Sequence, residues 1–337
     1  MALQADLLET TDALERHVGA WDALAASCER PYCAPGWMLS WLHAVAPSEA
    51  VLRACVVLEG DELVGIAPFW TREGEGGGRY GLLAEHTSSP VEPLCVAGRE
   101  AEVAAAVGAL LTEAHPRPRQ IELKGAPGES PWPQLLADHV AGYSAASIER
   151  TRVEPLPKIR LDQPSMEAWL ATRSRNFRQQ LGRARRHLEN AGAELRISDA
   201  TDFDRDVDAL SRLHYARWRA RGGSRALNPR VEAMLKHAAR ALGRERFELL
   251  SIEVDGVSIS AHLFVRVGGI RAYWLGGFDD RWAAYRPSIQ ALAAAVEAGI
   301  ESSDAWLELG PGGQHYKYRF ADSENTLSWV TLTPARS

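Results

Sequence analysis

The residues best placed for chemistry follow a glycine cluster in the last part of the chain. The run is Glu308-Leu309-Gly310-Pro311-Gly312-Gly313-Gln314-His315-Tyr316-Lys317. Glycines at the end of a strand let a ligand approach the backbone closely. There Tyr316 can protonate a leaving thiolate, while Lys317 can bind a phosphate or a carboxylate. We also expect Glu308 to contact the substrate, although a plain turn with packed tyrosines fits the same residues.

A second candidate is a helix that begins directly after an arginine and a proline. Pro287 keeps the helix from extending backwards, and Ser288 is a residue type that caps helices. The free N–H groups of the first turn, at Ser288 and Ile289, lie at the positive end of the helix dipole. Together with Arg286 they suit the pyrophosphate of a CoA donor. An ordinary helix start with a surface arginine has the same sequence.

Two residues near this helix, a histidine and an aspartate, are candidates for a general base. His262 shares one face of a predicted strand with Ser258, Ser260 and Arg266, which places it in polar surroundings. A histidine with an ordinary pKa of about 6.5 is well suited to taking a proton. Asp279, just past the next strand, competes for this role. A structural histidine and a turn aspartate are the alternatives.

Two helices offer contacts for a substrate. His214 and Trp218 are four residues apart, so they share a helix face and can line an acceptor pocket, or else pack in the core. An arginine-rich helix carries Arg178 and can contact an anionic substrate or a tRNA acceptor end, or simply be a solvated face.

Alternating strands and helices must position these residues. In the second half, strands at 247–254, 257–267 and 270–277 form a meander, and a helix at 288–302 leads to a strand at 306–309. The first half repeats the order of strands, crossover helix and strand. We therefore predict an α/β fold with mixed sheets, in two domains covering residues 1–155 and 156–337. A proline-rich stretch at 151–164 marks the boundary or an edge strand.

Composition narrows the function further. The chain has 337 residues and a net charge of −6, which disfavours bulk nucleic-acid binding. Its cysteines, Cys28, Cys33, Cys55 and Cys95, form no metal-binding pattern, so we expect no metal and a reducing cytoplasm. No signal peptide or membrane-spanning segment is predicted. Few lysines among many arginines are typical of a GC-rich bacterial genome.

Several short motifs together resemble a known family. The motifs are Arg173-Ser174-Arg175-Asn176-Phe177-Arg178, Arg217-Trp218, Gly276-Gly277-Phe278-Asp279 and Tyr316-Lys317, with Pro35, Trp37 and Trp41 near the N-terminus. Their order resembles that of the GNAT acetyltransferases of the cellulose-biosynthesis (BioF2-like) type, which are relatives of the Fem-type peptidoglycan aminoacyltransferases. The resemblance covers most of the chain. It implies tandem GNAT-like domains and transfer of an acyl group from a thioester or an aminoacyl-tRNA.

These observations favour one function and leave two others open. We expect acyl transfer, with acetyl-CoA or another acyl-CoA as co-substrate, to an amine or hydroxyl of a small or sugar-like acceptor by direct attack. We expect the first domain to be a degenerate unit that binds no donor. The alternatives are an aminoacyl-tRNA-dependent transferase of the Fem type and a non-catalytic binding protein on this fold.

Overall fold

The computed structural model describes residues 3–72, 78–219 and 222–334. The chain divides into two compact units, and the first boundary falls between Pro155 and Leu156. Unit 2 covers Leu156–Glu324, and the residues from Asn325 onward return to unit 1. From the sequence, residues 325–337 were expected to belong to the second domain. They join unit 1 because the last strand pairs with a strand there, over Leu327 to Leu332.

Unit 1 contains the first six strands, the first part of the seventh, most of the last strand of the chain and the first five helices. In chain order they are β1 (Leu3–Leu8), α1 (Thr11–Glu15), α2 (Val18–Ser27), α3 (Pro35–Ala44), β2 (Ala50–Glu59), β3 (Glu62–Arg72), β4 (Gly78–Leu82), β5 (Leu94–Cys95), α4 (Glu100–Glu113), β6 (Pro118–Pro127), α5 (Trp132–His139) and the first part of β7 (Ile148–Arg160). The strands lie in the order β1-β2-β3-β4-β6. β4 and β6 are parallel because α4 crosses over between them.

Unit 2 contains the remaining elements. In chain order they are α6 (Met166–Ala171), α7 (Arg175–Asn190), β8 (Ala193–Ile197), α8 (Phe203–Arg219), α9 (Pro229–Leu242), β9 (Phe247–Val254), β10 (Val257–Val267), β11 (Ile270–Phe278), α10 (Pro287–Glu301), β12 (Trp306–Glu308) and the start of β13 (Ser323–Leu332). The strands lie in the order β12-β11-β10-β9-β8. All neighbours are antiparallel except β11 and β12, which α10 connects as a parallel pair.

Local sequence explains the elements that carry the site. Asn228 caps α9 by accepting from the N–H groups of Arg230 and Val231, and Asp255-Gly256 provides the positive φ angles of the β9–β10 turn. α6 and α7 are separate helices rather than one, because the Ser174 side chain accepts from the N–H of Phe177 and so caps the start of α7.

The core of unit 2 lies where α6, α7 and α10 cover the sheet. Trp169, Phe177 and Phe320 form a ring cluster with centroids 4.9–6.2 Å apart, beside Phe264 of β10 and Leu292 of α10. Burial of these side chains fixes α10 against β10 and β11. Within the described residues, no helix is long and apolar enough to cross a membrane.

Candidate functional site

The site begins at a gap between two parallel strands. β11 pairs with β12 only over Ile270 to Ala272, whereas β11 continues to Phe278. Beyond Glu308 the chain turns away at Gly310, whose φ is +72°. The last six residues of β11, 273–278, therefore have an edge that β12 does not cover. Such an edge presents backbone N–H and C=O groups to a ligand.

A cavity of about 630 Å³ fills this gap, a volume suited to a small ligand or the reactive arm of a cofactor. Its walls come from α8, β10, β11, the start of α10 and the glycine turn. The lining residues are His214, Arg217, Trp218, His262, Tyr273, Trp274, Leu275, Gly276, Phe278, Ala283, Arg286, Pro287, Ser288, Ile289, Leu292, Leu309, Gly310, Pro311, Gln314, Tyr316 and Lys317. This set contains three cationic side chains and no carboxylate.

Two glycines of β11 let neighbouring groups approach the strand. A β-carbon at Gly276 would lie 2.6 Å from the Tyr273 hydroxyl and 2.5 Å from Cε1 of His262. A β-carbon at Gly277 would lie 2.7 Å from the backbone nitrogen of His214 on α8. Any side chain at these positions would displace a cavity wall or the helix. The Gly276-Gly277 pair is therefore a packing requirement of the site.

His262 lies directly opposite Gly276 in the β10–β11 pair and is only 2% exposed. Its Nε2 is 3.0 Å from the Ser260 hydroxyl, and its Nδ1 has no hydrogen-bond partner among the described residues. Burial, and secondarily the charge of Arg217, lowers the pKa of His262 to about 3. The imidazole is therefore neutral at physiological pH. It is a weaker base than the unperturbed histidine that the sequence analysis assumed.

Two tyrosines and an arginine surround the same space. The Tyr273 ring centroid is 5.8 Å from that of His262, and Tyr316 packs against the core beside Tyr273. Burial raises the pKa of both tyrosines, while the charge of Arg217 lowers it in each case. The guanidinium carbon of Arg217 lies 4.1 Å from the centroid of the Phe278 ring. Both tyrosines therefore keep their protons at neutral pH and can donate them.

Lys317 holds the glycine turn closed. Its ammonium donates to the carbonyls of Gly310 at 2.8 Å and Pro311 at 2.7 Å, and the residue is 3% exposed. These bonds fix the turn that forms one wall of the cavity. The sequence predicted that Lys317 binds a phosphate or a carboxylate; it lines the cavity, but two of its protons are donated to backbone carbonyls.

The start of α10 differs from the predicted one. The helix begins at Pro287, with Arg286 as its N-cap in the left-handed region at φ +52°, so Ser288 lies in the first turn and caps nothing. Arg286 donates to Oε1 of Gln180 at 2.9 Å, and Arg319 donates to the same oxygen at 2.9 Å. A neutral amide thus holds two guanidinium groups together at the positive end of a helix dipole.

His214 and Trp218 form the wall on the α8 side. Their rings are 5.9 Å apart, as expected for residues four apart on one helix. Nε2 of His214 is 2.8 Å from the Ser224 hydroxyl. Burial lowers the pKa of His214, and the charge of Arg217 adds to this shift. A hydrogen bond to the backbone of Gly276 opposes the shift in part. His214 is thus a neutral, anchored ring, and Trp218 lies beside it, 38% exposed.

Three of the residues predicted for the site do not line the cavity. The carboxylate of Asp279 caps the short helix after β11 and pairs with Arg281, whose hydrogen bond lowers the pKa of Asp279. Arg178 donates to the carbonyls of Arg173, Ala171 and Leu170 and so caps α6. Glu308 is 8% exposed, within β12. The other predicted residues, His214, Trp218, His262, Arg286, Ser288, Ile289, Tyr316 and Lys317, meet at this one cavity.

Sequence reasoning missed Arg217, Tyr273 and the role of Gly276. Arg217 stood within a quoted motif, and it lies one helical turn from His214 and next to Trp218. The β10–β11 register shifts between Phe264 and Leu263, which leaves Trp274 without an opposite residue. A β-bulge changes the direction of the side chains around it, so the alternation of residues along a strand does not predict which face of the sheet Tyr273 occupies.

Residues 175–318 match the family model described as the acetyltransferase (GNAT) domain. The match spans α7 to the end of the glycine turn and so includes every wall of the cavity. A transferase is the class of protein that this domain defines. The match of residues 175–318 confirms, for this segment, the resemblance to GNAT acetyltransferases expected from the sequence. No curated protein sequence matches the chain.

Solved structures extend the likeness to the whole chain. The crystal structure of FemX is similar with a TM-score of 0.64 at 10% identity, over 97% of each chain. The tandem GNAT protein from the clavulanic acid biosynthesis pathway, solved without AcCoA, gives 0.53 at 15% identity over 100% of each chain. L-PGS from Bacillus licheniformis gives 0.56 at 10% identity, over 98% of this chain and 93% of that chain. The predicted mixed α/β, tandem GNAT fold is confirmed.

Proposed function

We propose that unit 2 transfers an acyl group, with acetyl as the first candidate, from acyl-CoA to an amine or hydroxyl of a small or sugar-like acceptor. The cavity at the uncovered edge of β11, inside the segment that matches the GNAT domain, carries this proposal. Its volume accommodates the thioester arm of a donor, and its edge offers N–H groups to the thioester carbonyl. Within the family, the cellulose-biosynthesis type remains our assignment from the sequence motifs.

The donor's phosphates fit the start of α10. Ser288 contributes a first-turn N–H group without a backbone partner among the described residues. Ile289 does not add a second one, because its N–H donates to the Arg286 carbonyl. Arg286 and Arg319 add two positive charges held by Gln180. Helix dipole, N–H group and guanidinium groups all favour an anion at this place.

Unit 1 offers a less suitable helix start. Its crossover helix α4 carries Glu100 and Glu102 in the first turn, and Arg99 before it pairs with Glu102 and Glu59. Carboxylates at the positive end of a helix dipole occupy the place that a phosphate would take and repel it. This difference supports a single donor site, in unit 2.

The chemistry that we propose is direct attack. A lone pair on the acceptor nitrogen or oxygen forms the new bond to the acyl carbon, and the bond from carbon to sulfur breaks. Nδ1 of the neutral His262 takes the acceptor's proton, and the Tyr316 hydroxyl gives a proton to the departing thiolate. All four cysteines lie in unit 1, so no thiol of unit 2 can form a covalent acyl intermediate.

Equilibrium binding of acetyl-CoA tests the donor site. Arg286→Ala should weaken binding by about 1–3 kcal/mol, the contribution of a charge-assisted hydrogen bond. Gln180→Glu should weaken it by a similar amount, because a carboxylate would neutralise both guanidinium groups and repel the phosphates. Arg230→Ala, which removes an exposed arginine from α9, is the matched control and should leave the affinity unchanged. Wild-type affinity in both site variants would contradict the donor site.

An aminoacyl-tRNA donor is the second candidate, and the exposed arginines of α7 favour it. Arg175, Arg183 and Arg186 are all exposed there, and the whole chain resembles FemX in fold. Substitution of these three by Gln should weaken tRNA binding and reduce its salt dependence, because fewer counterions would be released. If acetyl-CoA is the donor instead, the same variant should turn it over at the wild-type rate. This candidate would be favoured over the first if the protein transferred an amino acid from aminoacyl-tRNA but transferred no acetyl group from acetyl-CoA to any acceptor tested.

A further inference from the structure

We propose that Arg217 selects acceptors that carry an anionic group, a carboxylate or a phosphate, close to the nucleophile. This inference rests on the acyltransferase function proposed above and adds the class of acceptor to it. It depends on three observations: the charges of the cavity, the surroundings of Arg217 and the presence of His262, Tyr273 and Tyr316 in the same cavity.

The cavity has positive charge that its own residues do not neutralise. Its cationic lining residues are Arg217, Arg286 and Lys317, and none of the lining residues that the structure describes is an aspartate or glutamate. Lys317 donates to two carbonyls of the glycine turn, and Arg286 donates to Gln180 at the start of α10. Arg217 alone of the three has no hydrogen-bonded or ion-paired partner anywhere in the described ranges.

The surroundings of Arg217 hold its guanidinium in place without neutralising it. The guanidinium carbon lies over the Phe278 ring, 4.1 Å from its centroid, and the residue is half-buried. Stacking on an aromatic ring orients the planar fork of an arginine, which matches carboxylate and phosphate oxygens in a bidentate manner. A partly desolvated cation in this position favours an anion more strongly than a cation in water does.

The charge of Arg217 reaches the groups that we assign to the reaction. It lowers the pKa of His262, of Tyr273 and of Tyr316, so all three lie within its field. Arg217 and His262 also line the same cavity, so an acceptor with its nitrogen or oxygen beside His262 can hold an anionic group against Arg217. Such an anion would also reduce the effect that Arg217 has on His262 and make the imidazole a stronger base. Acceptor binding and proton removal would then support each other.

Product-like ligands test this selectivity without requiring turnover. We would titrate N-acetyl-L-alanine against N-acetyl-L-alaninamide, and N-acetylglucosamine 6-phosphate against N-acetylglucosamine, following the fluorescence of Trp218 and Trp274 in the cavity wall. The wild type should bind the charged member of at least one pair about 10–100 times more tightly. The pair that discriminates identifies the anion as carboxylate or phosphate. Equal binding within both pairs would overturn the proposal.

Two variants assign the effect to Arg217. Arg217→Gln should abolish the preference for the charged member, and Arg217→Lys should restore part of it, because the charge returns without the fork. Arg219→Gln removes an exposed arginine from the same end of α8 and should keep the wild-type preference. A preference that persists in Arg217→Gln would overturn the proposal. Failure of acetyl-CoA to bind would contradict the proposed function, while these titrations would still report on Arg217.

Discussion

The ring of His262 lies over the α-carbon of Gly276 on the neighbouring strand, with the Tyr273 hydroxyl at the same place. A β-carbon on Gly276 would be 2.5 Å from Cε1 of His262 and 2.6 Å from the Tyr273 oxygen. The two side chains can occupy these positions only because residue 276 has none. The positions of the proposed base His262 and of Tyr273 in the cavity wall therefore require glycine at residue 276.

Gly276→Ala should reduce kcat/KM about a hundredfold while the protein stays folded. The added methyl group must displace the imidazole or the tyrosine, and a misplacement of about 1 Å costs about that much. Gly19→Ala, at a helical position with nothing within 4 Å, is the control and should keep full activity. Turnover and circular dichroism of both variants check this. Wild-type kcat/KM in Gly276→Ala would show that the reaction does not use this arrangement.

Tyr316→Phe should lower kcat by about 10²–10⁴ if the hydroxyl protonates the leaving thiolate. The ring would still pack beside Tyr273, so donor affinity and stability should change little. Tyr318→Phe is the matched control, since that hydroxyl is exposed and bonds Glu324. A purely structural tyrosine would not respond to the leaving group. Thioesters of more acidic thiols should therefore restore part of the rate in Tyr316→Phe, and a uniform defect across thioesters would argue against the assignment.

The sequence predicts unit 2 well where local signals are strong. The bounds of α9 follow from local residue types, because Asn228 and Pro229 start the helix and Gly243 ends it with φ +69°. The meander of β9, β10 and β11 follows from turns with glycines at positive φ. Short elements were missed: β1, β8 and α5 have few residues, and their stability comes from neighbours distant in the chain.

The site was predictable only in part, because its parts come together through tertiary packing. His262, Tyr316 and Arg286 were identified from residue type and place, and the structure brings them to one cavity. An aspartate is equally suitable as a general base, yet the carboxylate of Asp279 forms an ion pair with Arg281. Arg217 appeared as one arginine among many. Only the fold shows that it faces a cavity whose described lining holds no carboxylate.

Glu85→Gln should stabilise unit 1 increasingly as the pH rises. Burial raises the pKa of Glu85 from 4.5 to about 8, with Lys124 opposing and Glu122 adding to this shift. Between these two values the folded state holds a proton that the unfolded state releases, so stability falls as the pH rises through the window. Gln keeps an acceptor for the N–H groups of Leu82 and Lys124 and does not ionise.

Denaturation at about pH 5 and about pH 9 checks this prediction. The gain should be small at the lower pH and about 1–3 kcal/mol at the higher one, the cost of a buried charge without full compensation. Glu129→Gln, at an exposed site of unit 1, is the control. A chelator should be present, because ligand atoms of Glu85, His86 and Glu122 lie within 4.8 Å of one another and can hold a metal ion. A gain independent of pH would contradict the protonated state.

The acid side of the pH–rate profile should show no step from His262 within the ordinary histidine range. Its active form is the neutral imidazole, and burial with the charge of Arg217 holds its pKa at about 3. Lowering the pH from about 8 to about 5 therefore leaves the base unprotonated, whereas an exposed histidine would lose activity below about 6.5. A hydroxyl acceptor is needed for the measurement, because an amine would itself gain a proton in this range. His262→Gln should lower kcat at every pH by about 10²–10⁴, without moving the profile. An inflection near 6.5 in the wild type that disappears in His262→Gln would show that the imidazole is more accessible to water than its 2% exposure indicates.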